Sequence, residues 1–342
     1  MSYIERKSIS FVRVFATILI LCCHLLPKFN SSLLQISGQF FNVGVYIFLI
    51  LSGFLYGKRK ITDKITYKKW ITKRAKRILI PMYLFLVILF TIYIIRGIKI
   101  NTLNWIVYIF NLQAIEIYLN GAEHLWYLTI AMFCYFVTIP LDMYREKFNK
   151  KNISFLLIII SITQIIISYF IYKQLGIYLL YMELYIVAYM VGMYWDYEKI
   201  NIKYFLVSGI VLSISVIIRI IGRSLFDETI LYNIMIVGYT QSFIGFSLFF
   251  IGFYFINIMN DKVNFKILNY FDSISYEVYL IHYMFIVGPI SLINITNSML
   301  VNCAIILIVT LIVATILHSI SGIILNFIDS IMNKSSKTIE SI

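Results

Sequence analysis

Apolar residues gather into ten long stretches separated by short polar breaks: roughly 8–27, 38–57, 78–96, 124–143, 153–172, 177–195, 204–221, 230–258, 274–294 and 299–328. A helix needs about 20 apolar residues to cross a ~30 Å hydrocarbon layer, and none of these stretches alternates with the period of two that a barrel strand requires. The pattern predicts an all-α fold, a polytopic membrane helix bundle of about ten transmembrane helices. The eighth and tenth stretches are longer than a bilayer needs. Each is expected to tilt, or to break at Gly238 or Gly245 in one and from Ser319 to Gly322 in the other. No Pro-, Gly- or Ser-rich linker, repeat or low-complexity run divides the chain, so residues 1–342 read as a single integral membrane domain.

Composition agrees. Hydrophobic residues make up 61% and charged residues 13%, against roughly 45–50% and 25% in an average soluble domain. That leaves too little charge to cover a water-facing surface, which excludes a soluble enzyme. The abundance of Ile, Phe and Tyr excludes a disordered chain. Cys22, Cys23, Cys134 and Cys303 all lie in apolar stretches without metal-ligand spacing and read as small buried hydrophobes. The first stretch carries Arg13 and lacks a small-residue cleavage site, so it is expected to stay as the first span rather than leave as a signal peptide.

The net charge of +13 would raise nucleic acid as a partner of a soluble protein. Here its distribution explains it. With the N-terminus inside, 22 of the 29 Lys and Arg residues fall in inner segments and five in outer ones, the bias that fixes cytoplasmic loops. Both termini are therefore expected in the cytoplasm, with anionic lipids as partners of the basic loops and no nucleic acid. The longest outer segment, about 97–123, has no room for a separate extracellular domain.

Charged or polar groups inside apolar stretches are functional candidates by default, since a buried Arg costs roughly 2.5–3.5 kcal/mol by insertion scales. Arg13 and His24 are eleven residues apart, about three turns, so both share one helix face ~16 Å apart. Each alone also reads blandly, Arg13 snorkelling to inner headgroups and His24 satisfying a bundle hydrogen bond. The segment Lys58 to Arg77 holds ten basic residues and one acid, Asp63. Arg74 and Arg77 share a face if the third helix begins early, and both can then grip phosphate oxygens in a planar fork, whereas the lysines serve orientation and lipid contact. Glu123-His124-Leu125-Trp126-Tyr127 opens the fourth span. It can orient an imidazole or stack a sugar, or simply anchor the interface. Ser52-Gly53 in the second span reads as a close-packing point, not a nucleophile elbow. Ser275 to His282, with Glu277 and Tyr279 between them, lies in the ninth span. Glu183, Arg219 and His318 each need a partner that the sequence does not name. Four scattered histidines do not support a metal, and no phosphate-binding glycine pattern occurs.

Taken in order, these positions resemble the acyltransferase-3 family of integral membrane acyltransferases. The matching residues are Arg13 with His24, Gly44-Val45 with Ser52-Gly53-Phe54, Arg74 with Arg77, His124-Leu-Trp-Tyr-Leu, and Ser275-Tyr276 with Tyr279-Leu-Ile-His282. They span nearly the whole chain. The resemblance implies a multi-pass protein of the cell membrane that transfers a short acyl group, usually acetyl from acetyl-CoA as co-substrate, to hydroxyls of envelope glycans or lipid-linked sugars. It implies transfer either directly or through a separate protein. His24 is then the expected base or acyl carrier, with His124 the second catalytic candidate. Arg13, Arg74 and Arg77 would hold the CoA, and Glu123, Trp126, Tyr279 and His282 would meet the acceptor. The rival class is a polysaccharide exporter or flippase without acyl-transfer chemistry. An exporter needs a wide polar path through several spans, and intramembrane charge here is too sparse for one.

Overall fold

The computed structural model describes the chain except residues 1, 62, 63, 116–118, 149, 171, 172, 196–199, 227, 228, 230, 231, 233–235, 341 and 342. Asp63 and much of the start of the expected 230–258 span lie outside the described residues. Among the described residues the fold is all-helical. The helices are α1 (Tyr3–Leu25), α2 (Ser32–Phe41), α3 (Val43–Gly57), α4 (Lys64–Ile95), α5 (Thr102–Ile109), α6 (Trp126–Met143), α7 (Lys150–Phe170), α8 (Lys173–Tyr194), α9 (Ile202–Phe226), α10 (Val237–Met259), α11 (Phe265–Ile286) and α12 (Met299–Glu340). Among the described residues, eight candidate spans are long and apolar enough to cross a membrane. They correspond to every expected stretch except the fifth and ninth. In α7 the apolar run among described residues is Ser154–Ile167. In α11, Asp272, Glu277 and His282 lower the hydropathy of a helix that is nonetheless largely buried between Ile274 and Ile286. The expected 38–57 span begins in one helix and continues in another, since α2 ends at Phe41 and α3 starts at Val43.

Two compact units divide the chain, one of residues 1–62 and 133–273, the other of 63–132 and 274–342. In the first, α3 lies at the centre, packed on α1, α8 and α10. Glycine sets the spacing. A Cβ on Gly53 would meet the Tyr185 carbonyl oxygen at 2.5 Å, and one on Gly57 would collide with the Tyr189 carbonyl, so two glycines one turn apart let the α3 and α8 backbones touch. Phe54, between them, is fully buried against Phe249 and Phe253 of α10. Ser2 caps α1 by accepting from the Glu5 amide at 3.2 Å, and the Glu5 carboxylate receives the Lys58 ammonium from the end of α3. Gly53→Ala or Gly57→Ala is expected to force α3 from α8, at the ~1–3 kcal/mol typical of overpacking. A lowered thermal midpoint of the purified protein would show it, with Gly209→Ala unaffected because nothing lies within 4 Å of a Cβ there.

In the second unit α4 packs along α12. Lys76 of α4 pairs with Asp329 of α12, and the Tyr276 hydroxyl of α11 donates to the Ile78 carbonyl of α4 at 2.8 Å. The segment ahead of α6 is pinned from several sides. The Tyr93 hydroxyl donates to the Asn120 carbonyl at 2.8 Å, and Tyr108 accepts from the Leu119 amide at 2.9 Å while donating to the Ala122 carbonyl at 3.2 Å. Gly121, at φ +88°, turns the chain so close to Gly288 that a Cβ would meet its Cα at 2.8 Å.

Candidate active site

Each unit carries part of the candidate residues. In the first, α1 runs unbroken from Tyr3 to Leu25, so Arg13 and His24 share a face as their spacing requires. Arg13 is not left to snorkel. Its Nη1 meets Asp272 of α11 at 2.6 Å, and the Ser10 hydroxyl donates to the other oxygen of that carboxylate at 2.8 Å. The guanidinium charge is compensated, leaving Arg13 a source of directed hydrogen bonds rather than of net charge. Asp272 does not stand out in the sequence because it precedes the apolar stretch of α11; the intramembrane Arg13 is the signal there that a carboxylate has to exist. His24 is half-buried in the last turn of α1.

In the second unit, three candidates come together. The pinned loop ends in a short turn, Glu123–Leu125, that delivers the His124 ring into a layer of aromatic groups. Ring centroids of Tyr279, His282 and Tyr283 lie 5.0, 5.0 and 5.2 Å from that of His124, with Phe85 at 6.4 Å. The Tyr279 hydroxyl donates to the His124 backbone carbonyl. His282 Nδ1 lies 2.7 Å from the Tyr279 carbonyl and 3.2 Å from that of Val278. Carbonyls only accept, so Nδ1 carries the proton and, in the neutral ring, Nε2 carries the lone pair. All three side chains are buried. The arrangement fixes two imidazoles and a phenol in one layer, a set that can hold a proton or orient a hydroxyl. Phe85 and Tyr283 complete it and had no signal of their own among so many aromatic residues. Glu123 accepts from the Gly121 amide at 2.7 Å and so shapes the turn. Trp126 stands half-buried at the start of α6.

Arg74 and Arg77 lie within α4, which begins at Lys64, well before the apolar stretch, so they occupy one helix face three residues apart. Arg74 is half-buried and Arg77 exposed. The polar groups left without partners by the sequence acquire them. His318 Nδ1 meets Glu277 at 3.0 Å. Glu183 accepts from Ser161 at 2.6 Å and Tyr239 at 3.1 Å. Arg219 donates to the Gln39 carbonyl at 3.3 Å and lies over the Phe40 ring. Among the described residues no group of three or more His, Cys, Asp or Glu could hold a metal ion. On the loop between α6 and α7, Lys60 holds the Glu146 carboxyl below its usual range by hydrogen bond and charge.

A helical bundle with membrane-length apolar helices defines a multi-pass membrane protein. The family model described as an acyltransferase domain, that of the acyltransferase-3 family, matches residues 6–319, and the chain belongs to that family. Comparison with curated proteins and with solved structures gave no match.

Proposed function

We propose that this acyltransferase is an O-acetyltransferase of the cell membrane. It moves acetyl, or another short acyl group, from cytoplasmic acyl-CoA to a hydroxyl of an envelope or capsular glycan or its lipid-linked precursor. The observation that carries the reading is the place of His24, half-buried at the end of an unbroken helix with Arg13 on the same face. A half-buried imidazole there can meet a substrate. His24 takes the proton of the acceptor hydroxyl as its oxygen attacks the thioester carbonyl. CoA leaves as the thiolate and recovers that proton. In the alternative order His24 first takes the acetyl group itself and then yields it to the hydroxyl. Arg74 and Arg77 take CoA phosphates, and Arg13, oriented by Asp272, contributes directed hydrogen bonds. His124, Tyr279 and His282, with Glu123 and Trp126 at the entrance to α6, are assigned to the acceptor, His124 being the second candidate base.

The test is the acetate content of surface glycan, read by NMR, with and without the gene, alongside transfer of label from radioactive acetyl-CoA into glycan by isolated membranes. Loss of O-acetyl groups with unchanged polymer yield is expected. Polymer retained inside the cell with its acetylation intact would make the chain an exporter.

A further inference from the structure

Arg219 is a buried guanidinium in the first unit, 6% exposed. Among the described residues no carboxylate pairs with it. Its Nη2 donates to the Gln39 carbonyl at 3.3 Å, its guanidinium lies 4.2 Å from the Phe40 ring centre, and its buried Nη1 has no hydrogen-bond partner among the described residues. The Tyr232 hydroxyl also lies beside it, donating to the Arg219 backbone carbonyl at 3.5 Å. Carbonyls, a phenol and an aromatic face carry no formal charge and are poor compensation for a cation removed from water. Beside it stands a second incomplete group. Gln241 of α10, 1% exposed, donates through Nε2 to the carbonyls of Gln39 and Phe40 at 3.3 Å each, while its buried Oε1 lacks a partner. One turn along α9, Arg223 reaches the Gln39 side chain, Nη1 to Oε1 at 3.4 Å. Arg223 is half-buried and Gln39 exposed, so this cationic face has a dry floor at Arg219 and a wet rim at Arg223.

We infer that Arg219 and Arg223, four residues apart on one face of α9, form an oxyanion-binding site for a phosphate or carboxylate group, with Gln241 accepting from a hydroxyl or amide beside that group. Two guanidiniums one turn apart can share the oxygens of one such group, which replaces the water Arg219 has lost. Gly38, beside Gln39, lies so close to the end of α1 that a Cβ there would meet the Cys23 carbonyl oxygen at 3.3 Å, and Cys23 is the neighbour of His24. This places the site at the His24 end of α1. Resting on the proposed transfer reaction, the bearer of the oxyanion is an anionic acceptor, a glycan carrying uronate or phosphate, held near the residue assigned as base. The binding chemistry itself does not depend on that reaction.

The probe is inorganic phosphate, added to purified protein in nanodiscs of neutral phosphatidylcholine, with chloride at equal ionic strength as control. Phosphate is expected to raise the thermal midpoint of the wild type. Arg223→Gln, at the half-exposed rim, should weaken the apparent affinity tenfold or more, on the order of one lost charge-assisted contact. Arg219→Gln should abolish the shift, with Arg219→Lys recovering part of it. The same titration in phosphatidylglycerol nanodiscs assigns the source. Loss of the phosphate shift there means that lipid headgroups fill the site; a shift that persists leaves it to the acceptor. No shift in the wild type, or an equal shift in both Gln variants, overturns the site. So does a shift gained only after Asp227→Asn with Glu228→Gln, because the chain's own carboxylates would then be the occupants. Acetyl transfer lost in Arg219→Gln without any phosphate effect would leave the transferase reading intact and remove the site.

Discussion

His24→Ala is expected to abolish acetyl transfer, a loss of at least ~100-fold, since a positioned general base contributes roughly 10²–10⁴-fold. The protein should still insert and accumulate. His24 is half-buried in the final turn of α1, so removing its ring opens no fully buried core cavity. His124→Ala and His282→Ala belong in the same experiment, and burial separates their outcomes. Both rings lie inside the aromatic layer with Tyr279 and Tyr283, so their loss leaves cavities and lowers the yield and thermal midpoint of the folded protein. The readouts are acetate on the surface glycan and protein recovered in the membrane, each measured for every variant. Near-normal acetate in His24→Ala would remove His24 from the chemistry. The base would then be His124, provided that His124→Gln accumulates normally and is inactive.

How much of this was legible beforehand depended on whether the signal was local. The helical class, the α1 stripe and the Arg74–Arg77 face all follow from spacing along one helix, and the structure supplies those helices. What the sequence could not name were the partners. Asp272 lies 259 positions from Arg13, Glu277 is 41 from His318, and Glu183 meets Ser161 and Tyr239 on two other helices. A cost of burial tells that a partner must exist, but the choice is made by helix packing. Boundaries failed for a related reason. Hydropathy placed the ninth span at 274, whereas α11 starts at Phe265, because the polar residues that pair inside a unit look like loop residues to an average over neighbours. The clustering of His124 with His282 was hidden in the same way. Both histidines stand out in the sequence, yet nothing in a separation of 158 positions says that their rings lie side by side.

The second large effect expected is at the acyl donor. Arg74→Lys together with Arg77→Lys keeps every charge of the basic segment, so orientation and insertion should survive while the apparent affinity for acetyl-CoA falls. Lys offers a point charge where Arg offers a planar fork, and two charge-assisted contacts of ~1.5–3 kcal/mol each convert to a loss of more than tenfold. The structure makes the contrast with the neighbouring lysines sharp. Arg74 and Arg77 sit on formed helix just before Pro81, which has no amide hydrogen to give the Arg77 carbonyl. Lys76, between them, is engaged by Asp329, and Lys68 and Lys69 are exposed further back along α4. Replacing Lys64, Lys68 and Lys69 by Gln removes three charges rather than none, yet it should weaken acetyl-CoA use far less, because seven basic residues remain between Lys58 and Arg77. Transfer rate against acetyl-CoA concentration in isolated membranes reads both sets. If the lysine set proves as damaging as the arginine pair, capture of the donor is diffuse electrostatic attraction, and its salt dependence should be equally steep in both.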